Sequence, residues 1–79
     1  MNDLNIHVGI IIRRLREEQN ISQETLAFAA NIDRTFISQV ERGLKGISVN
    51  TLYKITNALN IDIIDFFKLV KNESDTNSI

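Results

Sequence analysis

The side chains best suited to recognition chemistry lie close together at residues 34–42, in the run RTFISQVER. Arginine can grip O6 and N7 of guanine with two donors. Glutamine can pair with N6 and N7 of adenine, and threonine offers a hydroxyl, or a methyl for thymine. On their own, Arg34, Thr35 and Gln39 are equally an ordinary solvated helix face, so the elements that carry them must decide. Other chemistries lack their parts. Ser22, Ser38 and Ser48 have no base in a suitable context for nucleophilic attack. There is no cysteine, and the single histidine, His7, has no partners for a metal site. Asp62 and Asp65 fit a helix cap and a first-turn acid better than a catalytic pair. The expectation is a chain that is not an enzyme and needs no metal or cofactor.

Two short helical patterns hold these residues, Gln23 to Ala30 and Arg34 to Arg42. Each follows a residue that caps a helix N-terminus, Ser22 and Asp33. Only Asn31 and Ile32 lie between the patterns and the second cap, which leaves room for a tight turn and nothing more. Two helices joined in this way form a helix-turn-helix, whose second helix can enter the major groove. A small residue is needed where the helices pass closely, and Ala27 supplies it. Ile32, Ile37 and Val40 fill the wedge between them, while Asn31 tolerates the left-handed turn.

The flanking pattern is helical throughout. Leu4, Val8, Ile11, Ile12 and Leu15 form an apolar stripe over about Leu4 to Gln19, with Arg13, Arg14, Arg16, Glu17 and Glu18 on the other side. Gly43 permits a C-cap. Ser48 caps a helix from Val49 to about Leu59 whose core face is Val49, Leu52, Ile55 and Leu59. Asn60-Ile61 makes a second tight turn, and Asp62 caps a last helix from Ile63 to about Val70. Proline and period-2 alternation are missing, so the fold class is all-α: a compact five-helix bundle. Residues 1–71 are expected to form one domain, for DNA binding and dimerisation as argued from the motif and the last helix below, and the polar stretch 72–79 is expected to be a disordered tail.

The net charge of −1 speaks mildly against nucleic acid, but its distribution does not. Between Arg34 and Lys54 there are four cations (Arg34, Arg42, Lys45, Lys54) against Glu41 alone. A local basic face can coexist with a near-neutral total. No apolar run approaches a membrane span, and residues 1–20 lack a signal-peptide pattern, so a cytoplasmic location is expected.

The stretch SQETLAFAANIDRTFISQVERG, residues 22–43, resembles the helix-turn-helix of phage-repressor and Cro-type regulators. The likeness covers about Val8 to Phe67. Within that group DRTFISQVERG, the loop and helix after it, and the total length look most like controller proteins of restriction–modification systems. Small prophage repressors and antitoxins share the fold and are the alternatives. The resemblance implies base contacts from Arg34, Thr35, Ser38 and Gln39. It implies backbone contacts from Ser22, Gln23, Arg42, Lys45 and Asn50, with Gln23 also bracing the recognition helix. Phe36 replaces a more common polar residue and is expected to pack on sugar or a thymine methyl. Arg16 and Glu41 match a structural salt bridge. The implied partner is double-stranded DNA carrying a near-palindromic operator, with RNA polymerase as a further partner; from surface position alone, Glu24 with Glu17 or Glu18 is the candidate acidic patch facing it.

The last helix is apolar nearly all round: Ile63, Ile64, Phe66, Phe67, Leu69 and Val70. Leu59, Ile63 and Phe67 are expected to close the core, which leaves Ile64, Phe66 and Val70 for a homodimer interface. An antitoxin-like protein would apply the same surface to a toxin instead.

Overall fold

The computed structural model describes residues 3–77, with side chains described for residues 4–75. Five helices follow in order: α1 (Asp3–Glu18), α2 (Gln23–Ala30), α3 (Arg34–Glu41), α4 (Val49–Ala58) and α5 (Ile63–Asn77). No strand occurs among the described residues.

Local side chains set the boundaries. Ser22 Oγ accepts from the Thr25 N–H at 3.0 Å, Asp33 Oδ1 from Thr35 at 2.8 Å, Ser48 Oγ from Thr51 at 3.1 Å and Asp62 Oδ1 from Ile64 at 2.8 Å. Each satisfies an orphan donor of a first helical turn. Asn20, Asn31 and Asn60 end three of the helices with φ of 58°, 57° and 59°, and Gly43 follows α3 at 73°. These are left-handed positions, which asparagine and glycine reach at least cost.

The core draws on all five helices: Val8, Ile11 and Ile12 of α1; Leu26, Ala27 and Ala30 of α2; Ile37 and Val40 of α3; Leu52 and Ile55 of α4, with its C-cap Leu59; and Phe66 and Val70 of α5. α1 packs on α3 and α5, α2 on α3 and α4, and α4 on α5. The recognition helix α3 is therefore wedged between α1 and α2. Its closest approach is at Gly9 of α1, where an added Cβ would collide with the Val40 carbonyl oxygen and lie 3.0 Å from that of Glu41.

Four expectations are corrected. Phe66, not Phe67, closes the core: Phe66 is 0% exposed and Phe67 42%. Ile63 is only partly buried against that core. In a helix apolar on nearly every side, spacing alone does not fix which face turns inward. Val49 is exposed at the first position of α4, and Leu4 is also exposed near the start of α1. The polar stretch after Val70 is not a loose tail up to Asn77: α5 continues through it. Arg14 Nη2 of α1 donates to Glu73 Oε1 at 2.9 Å, and Lys71 pairs with Asp75 one turn on at 3.7 Å. His7 lies against the same turn, its Nδ1 4.0 Å from Glu73 Oε2. Residues 78 and 79 of the expected tail lie outside the described residues.

Candidate nucleic-acid interface

α3 turns Ile37, Val40 and Glu41 inward. Arg34 and Thr35 are exposed at its start, and Ser38 and Gln39 are half-buried along its length. The four residues expected to meet base edges thus share one short helix, with the two at its N-terminal end fully presented. Recognition helices read bases mainly with such N-terminal residues. Phe36 is half-buried and packs against the core.

Beside α3, the first turn of α2 presents Ser22 and Gln23. The Ser22 hydroxyl is occupied as the cap, accepting from the Thr25 N–H and donating to Thr25 Oγ1 at 3.0 Å. Arg42 is exposed as the C-cap of α3, Lys45 is exposed in the α3–α4 loop, and Asn50 is exposed in the first turn of α4. Lys54 is one turn beyond Asn50 on the same side of α4 and is exposed. Although it had counted toward the local positive charge, it was not among the expected contact residues. Its i,i+4 relation to Asn50 was the available signal.

The motif is locked from behind by a polar network. Arg16 donates from Nε to Glu41 Oε2 at 2.8 Å, from Nη2 to Glu41 Oε1 at 3.0 Å, and from Nη1 to the Ile21 carbonyl at 2.8 Å. Gln23 Nε2 donates to Glu41 Oε1 at 3.1 Å. The Glu41 side chain is 2% exposed and that of Arg16 12%, so this is a buried, bidentate pair. It ties α1, the loop before α2, the start of α2 and the end of α3 together. The bond from Arg16 to Glu41, more than the opposing effect of burial, holds the guanidinium above the ordinary arginine value.

The ion pairs divide the cations into two sets. Arg13 pairs with Glu17, Arg14 with Glu73, Arg16 with Glu41, Lys68 with Asp65 and Lys71 with Asp75. Among the described residues, Arg34, Arg42, Lys45 and Lys54 have no acidic partner. Among the described residues, every arginine and lysine outside the α3–α4 segment is thus paired locally, and every one within it remains available to an external anion. Also among the described residues, no cluster of His, Cys, Asp and Glu could hold a metal, and no helix is long and apolar enough to cross a membrane.

The surface expected to pair two copies is changed. Phe66 and Val70 are buried within one chain and cannot reach a partner, whereas Ile64 is 64% exposed. Phe67, one turn from Ile64, takes their place as the second exposed apolar residue of α5. Phe67 stands edge-on to Phe66, with ring centroids 6.0 Å apart and an interplanar angle of 74°.

Comparison with known proteins places the family and the fold. The helix-turn-helix family pattern matches residues 12–66. Control protein C.BamHI of Bacillus amyloliquefaciens is 38% identical over 69 residues, covering 82% of this chain and 85% of the relative. Control protein C.MunI of a Mycoplasma species is 35% identical over 74 residues, covering 92% of this chain and 100% of the relative. The structure of the wild-type restriction–modification controller protein C.Esp1396I superposes with a TM-score of 0.91 at 30% identity, covering 98% and 100% of the two chains. A tetramer of that protein in complex with its natural 35 base-pair operator matches at 0.87 and 32% identity, covering 92% and 96%.

Proposed function

The chain belongs to the helix-turn-helix family of DNA-binding transcriptional regulators, among the restriction–modification controller proteins, and from that premise we propose how it engages its operator. Two copies bind a near-palindromic duplex, each placing α3 in one major groove. Arg34, Thr35, Ser38 and Gln39 meet base edges. Gln23, Arg42, Lys45, Asn50 and Lys54 hold the phosphates on either side, as backbone contacts fix register while base contacts discriminate. The observation that carries this reading is the set of four unpaired cations on the α3–α4 segment, in a chain whose other cations are all paired.

The molecule measures 36 × 24 × 23 Å and presents one recognition helix. Reading two half-sites about 34 Å apart takes two such helices, hence a dimer built on Ile64 and Phe67. Operator occupancy then regulates the chain's own gene and that of the endonuclease, with activation at one bound dimer and repression at higher occupancy. Activation is assigned to contact between Glu24 and RNA polymerase: Glu24 and Glu18 are exposed and form no ion pair, whereas Arg13 engages Glu17 at 3.2 Å. The protein acts in the cytoplasm, without a cofactor and without enzymatic activity.

Binding of Arg34→Ala to operator and to scrambled duplexes tests the central assignment. The substitution is expected to cost about 1–3 kcal/mol on the operator, relax one base position and leave scrambled DNA nearly unaffected. Equal loss on both duplexes would reduce Arg34 to a phosphate contact.

A further inference from the structure

Gln23 occupies the first position of α2, and its side chain is half-buried rather than solvated. Its Nε2 lies 3.1 Å from Glu41 Oε1. Chemistry fixes the orientation of this amide: an ionised carboxylate only accepts, so the nitrogen must face Glu41 and the oxygen must face away. Glu41 cannot swing aside, because Arg16 holds both of its oxygens and is itself tied to the Ile21 carbonyl. Arg16 also neutralises the carboxylate charge, which would otherwise repel a phosphate close by. One hydrogen of the Gln23 amide is thus committed to the protein. The second belongs to a group whose direction is set.

We propose that Glu41 is a positioning residue for DNA binding: it acts through the Gln23 amide and holds the remaining Nε2–H in the direction of a backbone phosphate. This rests on Gln23 being a phosphate contact. The physical advantage is preorganisation. A free glutamine must surrender rotamer freedom when it meets DNA, whereas one already held by Glu41 has little left to lose. A donor that shares its amide with a carboxylate is also polarised by it.

Gln23→Ala isolates the contact, and the paired replacement Arg16→Met with Glu41→Leu removes the anchor. Exchanging a whole buried ion pair for apolar side chains of similar volume often leaves stability intact, whereas removing one partner does not. Operator affinity is measured for the wild type, for each variant and for the combination, with thermal unfolding recorded alongside. In the wild-type background Gln23→Ala is expected to weaken binding about ten-fold, the scale of one charge-assisted hydrogen bond. In the Arg16→Met, Glu41→Leu background it is expected to produce no further loss. A ten-fold loss in both backgrounds overturns the positioning role and leaves the phosphate contact standing. No loss in the wild-type background removes the contact, and the proposal with it.

The side-chain amide of Gln23 in the wild-type protein gives a second readout by nuclear magnetic resonance, independent of how the variants fold. The amide carries two separate hydrogen signals because rotation about its C–N bond is slow; the signal of the hydrogen facing away from Glu41 is expected to move when operator DNA is added, while that of the hydrogen on Glu41 stays. Equal movement of both signals, or of neither, would overturn the proposal.

Discussion

Gly9 is determined by the helix it faces rather than by the helix it belongs to. Alanine in the middle of a helix normally gains about 1 kcal/mol over glycine. Here the added methyl would strike the Val40 carbonyl oxygen, a backbone atom of α3 that can yield only if α3 shifts. Overpacking of this kind costs about 1–3 kcal/mol, so sterics outweigh propensity and Gly9→Ala is expected to lower stability. Because the part displaced is the recognition helix, operator affinity should fall as well. A raised unfolding midpoint would show that α1 and α3 are more loosely joined.

Arg16 is the other residue whose removal should be severe. Arg16→Ala leaves Glu41 charged and buried with only the neutral Gln23 amide as a partner, at a cost of about 3–5 kcal/mol in unfolding experiments. The pH dependence has a definite sign. A folded-state value raised above the unfolded one gives stability that is complete below the ordinary arginine value. That stability is lost only as pH rises through the still higher folded value. The stability difference between wild type and Arg16→Ala should therefore show no contribution from arginine titration across the neutral and moderately alkaline range.

At the scale of elements, α5 sorts its apolar residues between two tasks. Phe66 and Val70 are core, while Ile64 and Phe67 face outward. Phe66→Asp is thus expected to unfold the chain, by placing a charge in a fully buried site. Ile64→Asp and Phe67→Asp should leave each chain folded but monomeric in sedimentation, with weaker operator binding through lost two-site avidity. Folded dimers in both exposed-site variants would place the interface on another surface.

This sorting was not legible in the sequence, whereas the helix-turn-helix was. Caps, turns and the small residue at the crossing are each announced by a local side chain: Ser22, Asp33, Asn31 and Ala27 can be recognised from their immediate neighbours. The inward face of α5 depends on the angle at which the chain leaves Asp62, and six apolar residues within eight positions do not record it. The helical continuation past Val70 depends on Arg14, 59 positions away from Glu73. The need for glycine at position 9 arises only once α3 has been placed against it. The Arg16–Glu41 pair and a bracing role for Gln23 on the recognition helix were available from the resemblance to known regulators; that Gln23 braces it through Glu41 required the fold.

At the scale of the molecule, a net charge of −1 gives little indication of a DNA-binding protein. The distinction lies in which charges are already spoken for. Glu17, Glu41, Asp65, Glu73 and Asp75 engage cations on α1 and α5, and among the described residues the α3–α4 segment keeps Arg34, Arg42, Lys45 and Lys54 unpaired. In the proposed complex Arg34 is on bases, so each protomer would bring three cations to the phosphates, and a dimer about six such contacts. Counterion release makes the consequence quantitative, because affinity falls with salt in proportion to the phosphates neutralised. The most direct test is the equilibrium affinity of the wild-type protein for the near-palindromic duplex upstream of its own gene, measured from 50 to 200 mM salt. Six contacts predict a log–log slope near −5 and a loss of about 10³-fold across that range. A slope near zero, or equal affinity for a scrambled duplex throughout, would contradict an operator read by α3 and clamped by Arg42, Lys45 and Lys54.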